Sequence, residues 1–221
     1  MKIFLDTAVL AEIEEVAAWG ILDGVTTNPS LAAKAGRPFE ENIRQIAALV
    51  GDRGTVSAET VSLEAPGMVT EARLVTSWAD NIVAKIPFCA EGLKAVRQLA
   101  DEGIRCNVTL IFSAVQGLLA MKAGAYYISP FVGRIDDGGQ NGIEVVQQLV
   151  EIKQNYGFET AVLAASLRHS LHIVDCALAG ADISTLPYSV LKKSLGHSLT
   201  REGLKSFLDD WQTIPTDLRP Y

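Results

Sequence analysis

The chain has 221 residues, 48% of them hydrophobic and 20% charged, with a formal net charge of −7. That length supports one domain with a sizeable core, and the apolar share excludes a disordered chain. The acidic balance argues against a nucleic-acid partner, which selects basic surfaces. It leaves phosphorylated small molecules open, because a few local arginines can hold a phosphate on an acidic protein.

The opening MKIFLDTAVL has one lysine and then Asp6 after three apolar residues, too short a run for a secretory leader. No run approaches the ~18 apolar residues of a membrane span, so no membrane partner is expected. Short apolar runs then alternate with amphipathic stretches. Strands are expected at 2–7, 24–28, 55–61, 81–87, 106–112, 126–132, 159–166 and 182–187. Between them lie segments of helical period. In 90–103, for example, Leu93, Val96 and Leu99 recur at three-residue spacing and Gly103 supplies a stop. Regular alternation implies parallel pairing, and eight strands in a chain of this length predict a (β/α)8 TIM barrel. An open doubly wound sheet is the alternative, and no GxGxxG follows an early strand to support its dinucleotide-binding form. The expected organisation is one domain over 1–221, with an additional C-terminal helix at about 200–212 and a loose end beyond it. Three scattered cysteines, Cys89, Cys106 and Cys176, show neither zinc spacing nor CxxC, which fits a reduced, cytoplasmic setting.

The carboxyl ends of the expected strands, where a parallel barrel places its active site, are unusually polar. They carry Asp6, then Thr26, Thr27 and Asn28, then Ser57, Glu59 and Thr60, then Lys85, Asn107, Thr109, Ser129 and Ser166. Asn107 and Thr109 are two apart and share a face, as do Ser57 and Glu59. Packing alone would favour Val, Ile and Leu there, so convergent polar groups suggest a reaction centre. Lys85 stands inside NIVAKIP. Its apolar neighbours destabilise an ammonium, and a neutral amine attacks carbonyls to form a Schiff base. Asp6 and Glu59 are then candidate acid/base groups, and Thr109 a candidate holder of the water the imine chemistry needs. The plainer alternative is a structural pair of Lys85 with Asp6 or Glu59.

Arg134 follows the sixth strand, and Ser166 and Arg168 follow the seventh. Two arginines and a hydroxyl at adjacent strand ends can clamp a phosphate, although either arginine alone would read as a solvated loop residue. His169 and His172 lack a third ligand nearby, so no metal site is expected. Tyr126 and Tyr127 are expected to pack. DDGGQNG at 136–142 has no GK[ST] and reads as a flexible loop, and His197 has no triad context.

The segments FLDTA, GVTTNPSL, AKIPFCAEGLKA, NVTLIFSAVQGLLA, GAYYISPFVGRIDD, AASLR and FLDDWQ, in this order over nearly the whole chain, resemble the small-subunit branch of the transaldolase family, which also contains fructose-6-phosphate aldolases. Cys89 stands where that pattern has threonine. The resemblance implies a (β/α)8 barrel with Lys85 as the Schiff-base lysine and Asp6 as the acid/base of carbon–carbon cleavage. It implies Glu59 and Thr109 at the catalytic water, Asn28, Asn107 and Ser129 at substrate hydroxyls, and Arg134, Ser166 and Arg168 at the phosphate. No metal or organic cofactor is implied, since the protonated imine is the electron sink. It further implies a homo-oligomer of pentameric rings, often stacked as decamers, whose terminal helix exchanges between subunits. Glu59, Phe131 and Asn107 are the transaldolase choices, where the aldolases tend to have glutamine, tyrosine and a residue other than asparagine. Transaldolase is therefore the expected activity, with fructose-6-phosphate aldolase as the alternative within the enzymes. A non-catalytic sugar-phosphate-binding barrel is the alternative of another class.

Overall fold

The computed structural model describes residues 1–219; of the expected loose end and of the expected domain 1–221, Pro220 and Tyr221 lie outside the described residues. Eight strands pair in chain order: β1 (Lys2–Asp6), β2 (Gly24–Thr26), β3 (Thr55–Glu59), β4 (Ile82–Pro87), β5 (Cys106–Ile111), β6 (Tyr127–Pro130), β7 (Ala161–Ala164) and β8 (Ile183–Leu186). All neighbours run parallel, and β1 hydrogen-bonds both β2 and β8, which closes the ring. The result is the (β/α)8 barrel rather than the open sheet. Helices follow the strands on the outside: α1 (Leu10–Ala18), α2 (Pro29–Ala35), α3 (Phe39–Val50), α4 (Ala65–Thr76), α5 (Ala90–Asp101), α6 (Ala114–Ala123), α7 (Val132–Asp137), α8 (Gly142–Tyr156), α9 (Ser170–Leu178), α10 (Tyr188–Ser194) and α11 (Ser198–Thr213). No helix among the described residues is long and apolar enough to cross a membrane.

Most strands stop one or two residues before the expected end, because the chain there turns into loops that carry functional side chains. Asn28 leaves β2 to cap α2, its Oδ1 accepting from Leu31 N at 2.9 Å. Cys89 takes the same role for α5, its sulfur accepting from Gly92 N at 3.2 Å, a position threonine would fill equally well. Gly103 ends α5 as expected, in the left-handed region at φ 76.

Period-two alternation sorts the strand residues into two cores. Outward-facing Leu5, Val25, Val56, Ala84, Ile86, Val108, Ile128 and Val162 pack under the helices with Ile13, Ile46, Met68, Val96 and Leu149. Full burial of each larger aliphatic contributes roughly 1.5–3 kcal/mol. Inside the barrel, Phe4, Val83, Tyr127, Leu163 and Ile183 plug the amino-terminal half. Gly24 gives Phe4 its space, since a Cβ there would lie 2.5 Å from the ring. Tyr127 meets Thr55 Oγ1 at 3.2 Å inside this plug, whereas Tyr126 is exposed and carries the Arg105 guanidinium on its ring at 5.5 Å. His197 caps α11, accepting from Leu199 N at 3.2 Å. No side chain of α11 is buried, and Leu204 (59% exposed), Phe207 (73%) and Leu208 (62%) form an open apolar face.

Candidate active site

Two residues further along four of the strands, the inward positions turn polar. β1 moves from Phe4 to Asp6, β4 from Val83 to Lys85, β6 from Tyr127 to Ser129 and β8 from Ile183 to Thr185. Register brings them level: Asp6 is opposite Thr26, and Lys85 lies between Glu59 and Asn107. The polar tier therefore rests on an apolar floor, at the end of the barrel where strand ends and loops meet.

Lys85 is 5% exposed. Its Nζ lies 2.8 Å from Glu59 Oε2 and donates to Thr27 O at 3.0 Å. The structure corrects the apolar surroundings expected from NIVAKIP. Ala84 and Ile86 face the helices, so the residues beside Lys85 in sequence are not its neighbours inside the barrel. The ammonium is ion-paired, and Glu59 is the base in contact with it. Asp6 accepts from Thr26 Oγ1 at 2.7 Å, and Thr26 and Thr185 share a second hydrogen bond of 2.7 Å. Burial raises the Asp6 pKa above its ordinary value of 3.8, against the opposing influence of Lys85, the Thr26 hydrogen bond and Arg134.

Two adjoining cavities meet at Lys85. One, of about 400 Å³, is lined by Asp6, Asn28, Ser129, Phe131, Arg134, Ser166 and Arg168. The other, of about 290 Å³, is lined by Asn28, Glu59, Thr109, Leu110, Phe131 and Arg134. Lys85 belongs to both walls, with Asp6 on one side and Glu59 and Thr109 on the other. Thr109 Oγ1 is buried and has no protein partner. Of the residues given catalytic or substrate-binding roles, Asn107 alone lines neither cavity. It is wholly buried, its amide donating to Ser57 Oγ at 3.1 Å and accepting from Ser129 Oγ at 2.7 Å. Phe131 packs edge-on against Phe112 at 5.7 Å and carries the Arg134 guanidinium at 5.1 Å. Arg168 is half-exposed and holds Asp137 Oδ2 at 3.0 Å.

Strain marks both walls. Leu110 (φ 62) and Ser166 (φ 60) are the non-glycine residues of positive φ among the described residues, a conformation that a Cβ disfavours and that clusters at functional sites. Leu110 lies within an irregularity of β5 between Val108 and Ile111, which sets how Thr109 enters the cavity. Among the wall residues that sequence reasoning missed are Lys34 and Thr185. Thr185 was open to the period-two argument, being two residues past Ile183. Lys34 had no local signal, because it arrives from the last turn of α2.

A lysine held between a carboxyl with a raised pKa and a contacting carboxylate, in a (β/α)8 barrel mouth that also presents arginines, is an arrangement that can support imine chemistry on anionic carbonyl compounds. Comparison with known proteins gives the particular family. The model of the family described as Transaldolase/Fructose-6-phosphate aldolase matches residues 3–218, and the chain belongs to that family. It is 54% identical to a probable transaldolase of Herpetosiphon aurantiacus, over 97% of this chain and 96% of that one. It is 56% identical to a probable transaldolase of Alkaliphilus metalliredigens, over 97% and 99%. Among solved structures, 2,3-dimethylmalate lyase superposes with a TM-score of 0.60 at 14% identity, over 99% of this chain and 87% of that one. At that identity the likeness concerns the fold alone.

Proposed function

We propose that this enzyme is a cytoplasmic transaldolase of the pentose phosphate pathway. It moves a dihydroxyacetone unit from sedoheptulose 7-phosphate or fructose 6-phosphate to glyceraldehyde 3-phosphate or erythrose 4-phosphate. The observation that carries this reading is Lys85, buried at the junction of two cavities with Glu59 at 2.8 Å on one side and Asp6 on the other. Lys85 must shed a proton to attack the donor ketone, and Glu59 is the contacting base. The unpartnered Thr109 hydroxyl offers the water of imine formation a hydrogen bond beside Glu59. Asp6 takes the proton from the hydroxyl at the cleaved bond, and the iminium accepts the electron pair as the aldehyde departs. The three-carbon enamine then attacks the acceptor aldehyde, and Asp6 returns the proton. Asn28 and Ser129, the latter held by Asn107, serve the substrate hydroxyls, and Arg134, Ser166 and Arg168 the phosphate.

Transfer is favoured over release by Phe131. A phenol at that place in the wall would supply a proton to the bound three carbons; a phenyl ring leaves the enamine intact until an acceptor arrives. Phe131→Tyr is accordingly expected to raise acceptor-free release of dihydroxyacetone from fructose 6-phosphate by about tenfold or more. Coupled detection of free dihydroxyacetone checks this, and an unchanged release rate would refute the role given to Phe131. The free thiols Cys89, Cys106 and Cys176 fit a reducing compartment. The open apolar face of α11 fits a homo-oligomer, a pentamer or decamer, in which that face is covered.

Borohydride reduction after incubation with fructose 6-phosphate tests the proposal as a whole. The expected result is a dihydroxyacetone-derived mass on Lys85. An unmodified Lys85 would leave the sugar-phosphate-binding barrel as the better reading.

A further inference from the structure

The backbone that presents Ser166 and Arg168 is gripped from both sides of a strained residue. Ser166 sits at φ 60, a conformation that a Cβ disfavours and that persists only where its surroundings enforce it. On one side, Gly133 N donates to Ser166 O at 3.1 Å. A Cβ at Gly133 would lie 2.3 Å from that oxygen, so glycine is what lets α7 approach. On the other side, Arg168 N donates to His172 Nδ1 at 3.2 Å. Because Nδ1 accepts, the neutral ring carries its proton on Nε2, and Nε2 lies 3.0 Å from Asp136 Oδ2.

Asp136 is fixed in turn, its Oδ1 accepting from Gly142 N at 2.8 Å where α8 begins. Its neighbour Asp137 holds the Arg168 guanidinium. Adjacent acids of α7 thus address the two ends of one arginine: Asp137 holds the side chain directly, and Asp136 holds the main chain through His172. The ring of His172 is buried against His169, with centroids 3.8 Å apart. His169 also accepts from His172 N at 3.3 Å, which caps α9.

We propose that His172 is a positioning residue for the phosphate clamp, holding the main chain of Arg168 in place while Asp136 keeps the imidazole in the accepting tautomer. The inference rests on the reading of Arg168 as a phosphate ligand. A histidine serving only to fill space in α9 has no need of a partner at each nitrogen, and an apolar residue would fill the same volume without burying polar atoms. Burial holds the His172 pKa below 6.5, helped by His169 and opposed by Asp136 and Asp175, so Nδ1 remains an acceptor at neutral pH.

The test compares glyceraldehyde 3-phosphate with unphosphorylated D-glyceraldehyde as acceptor in the full-length enzyme. In a two-stage transfer the acceptor kcat/KM does not depend on the donor step. His172→Asn keeps an oxygen near the Nδ1 position, His172→Gln reaches only towards Nε2, and His172→Ala has neither. The ratio of kcat/KM for the phosphorylated over the unphosphorylated acceptor is expected to fall about tenfold in the Ala and Gln variants, through KM rather than kcat. The Asn variant restores it to within about threefold. If Asn and Gln are alike, or both acceptors lose equally, His172 is only a packing residue and the proposal is overturned; should the Ala variant fail to fold, the Asn–Gln pair still decides. Arg168→Ala separates the two layers. If it retains the phosphate preference, the clamp reading fails and the positioning role falls with it. If it loses the preference while His172→Gln keeps it, the positioning role alone is overturned.

Discussion

Lys85→Met is expected to lower transaldol transfer by on the order of 10⁴-fold or more, because every proposed step runs through the imine on Lys85, and Lys34, the other lysine of the wall, is exposed and lines only the cavity without Glu59 and Thr109. The loss should appear in kcat, with sugar-phosphate binding largely retained, since Lys85→Met leaves Arg134, Ser166 and Arg168 in the cavity wall. Residual turnover above about 1% of the wild-type rate would show that Lys85 is not the nucleophile. The variant also tests the alternative use of this residue, as a structural partner. Lys85 and Glu59 are 6% and 15% exposed at their side chains, and removing one partner of a buried pair costs about 3–5 kcal/mol, less where the survivor keeps some water. Adding Glu59→Gln to Lys85→Met removes the orphaned charge. The double variant should therefore regain stability in urea melts and regain no turnover. A pair kept only for stability would show no loss of turnover beyond the loss of folded protein.

The barrel was legible because its two periods are clean. Apolar runs separated by amphipathic stretches give eight strands, and period-two alternation within them puts Asp6, Glu59, Lys85, Thr109 and Ser129 on the inner face. What alternation does not show is which residues become neighbours across the interior. Ile86 follows Lys85 in sequence and faces a helix, whereas Glu59 is 26 positions away and touches the ammonium. The strand taken alone therefore suggested an apolar pocket where the fold builds an ion pair. Asn107 was legible as an inward polar residue. That its amide would be taken up by Ser57 and Ser129 depends on three strands at once. Local signals for the short α2 and α7 were weaker, since each is a brief turn inside a βα loop, yet α2 carries Asn28, Pro29 and Gly36 at its cap, first position and end. His172 was visible only as half of a histidine pair with no third ligand. Its link to Arg168 and Asp136 is a contact among α7, α9 and the turn after β7, which no local pattern encodes.

Asp6→Asn is expected to reduce kcat by about 10²–10⁴-fold, the usual contribution of a positioned acid/base group. It should still allow Lys85 to be trapped by borohydride with dihydroxyacetone, because Glu59 and Thr109 lie in the other cavity. Loss of trapping together with turnover would place Asp6 in imine formation rather than in cleavage. The same substitution has a signature in stability. Burial raises the folded-state pKa of Asp6, with Lys85, Thr26 and Arg134 acting against it. Between the unfolded value of 3.8 and the raised folded value, the native state binds more protons than the unfolded chain. This contribution is therefore fully present below the unfolded pKa and is lost as pH rises through the folded one. Asparagine does not titrate. The Tm of Asp6→Asn relative to wild type should accordingly move in favour of the variant as pH rises above the unfolded value of 3.8 and through the raised folded one. The opposite slope would mean that the charges of Lys85 and Arg134 and the Thr26 hydrogen bond outweigh the burial of Asp6. Burial would then not be what holds a proton on Asp6 at the point where the carbon–carbon bond is broken and remade.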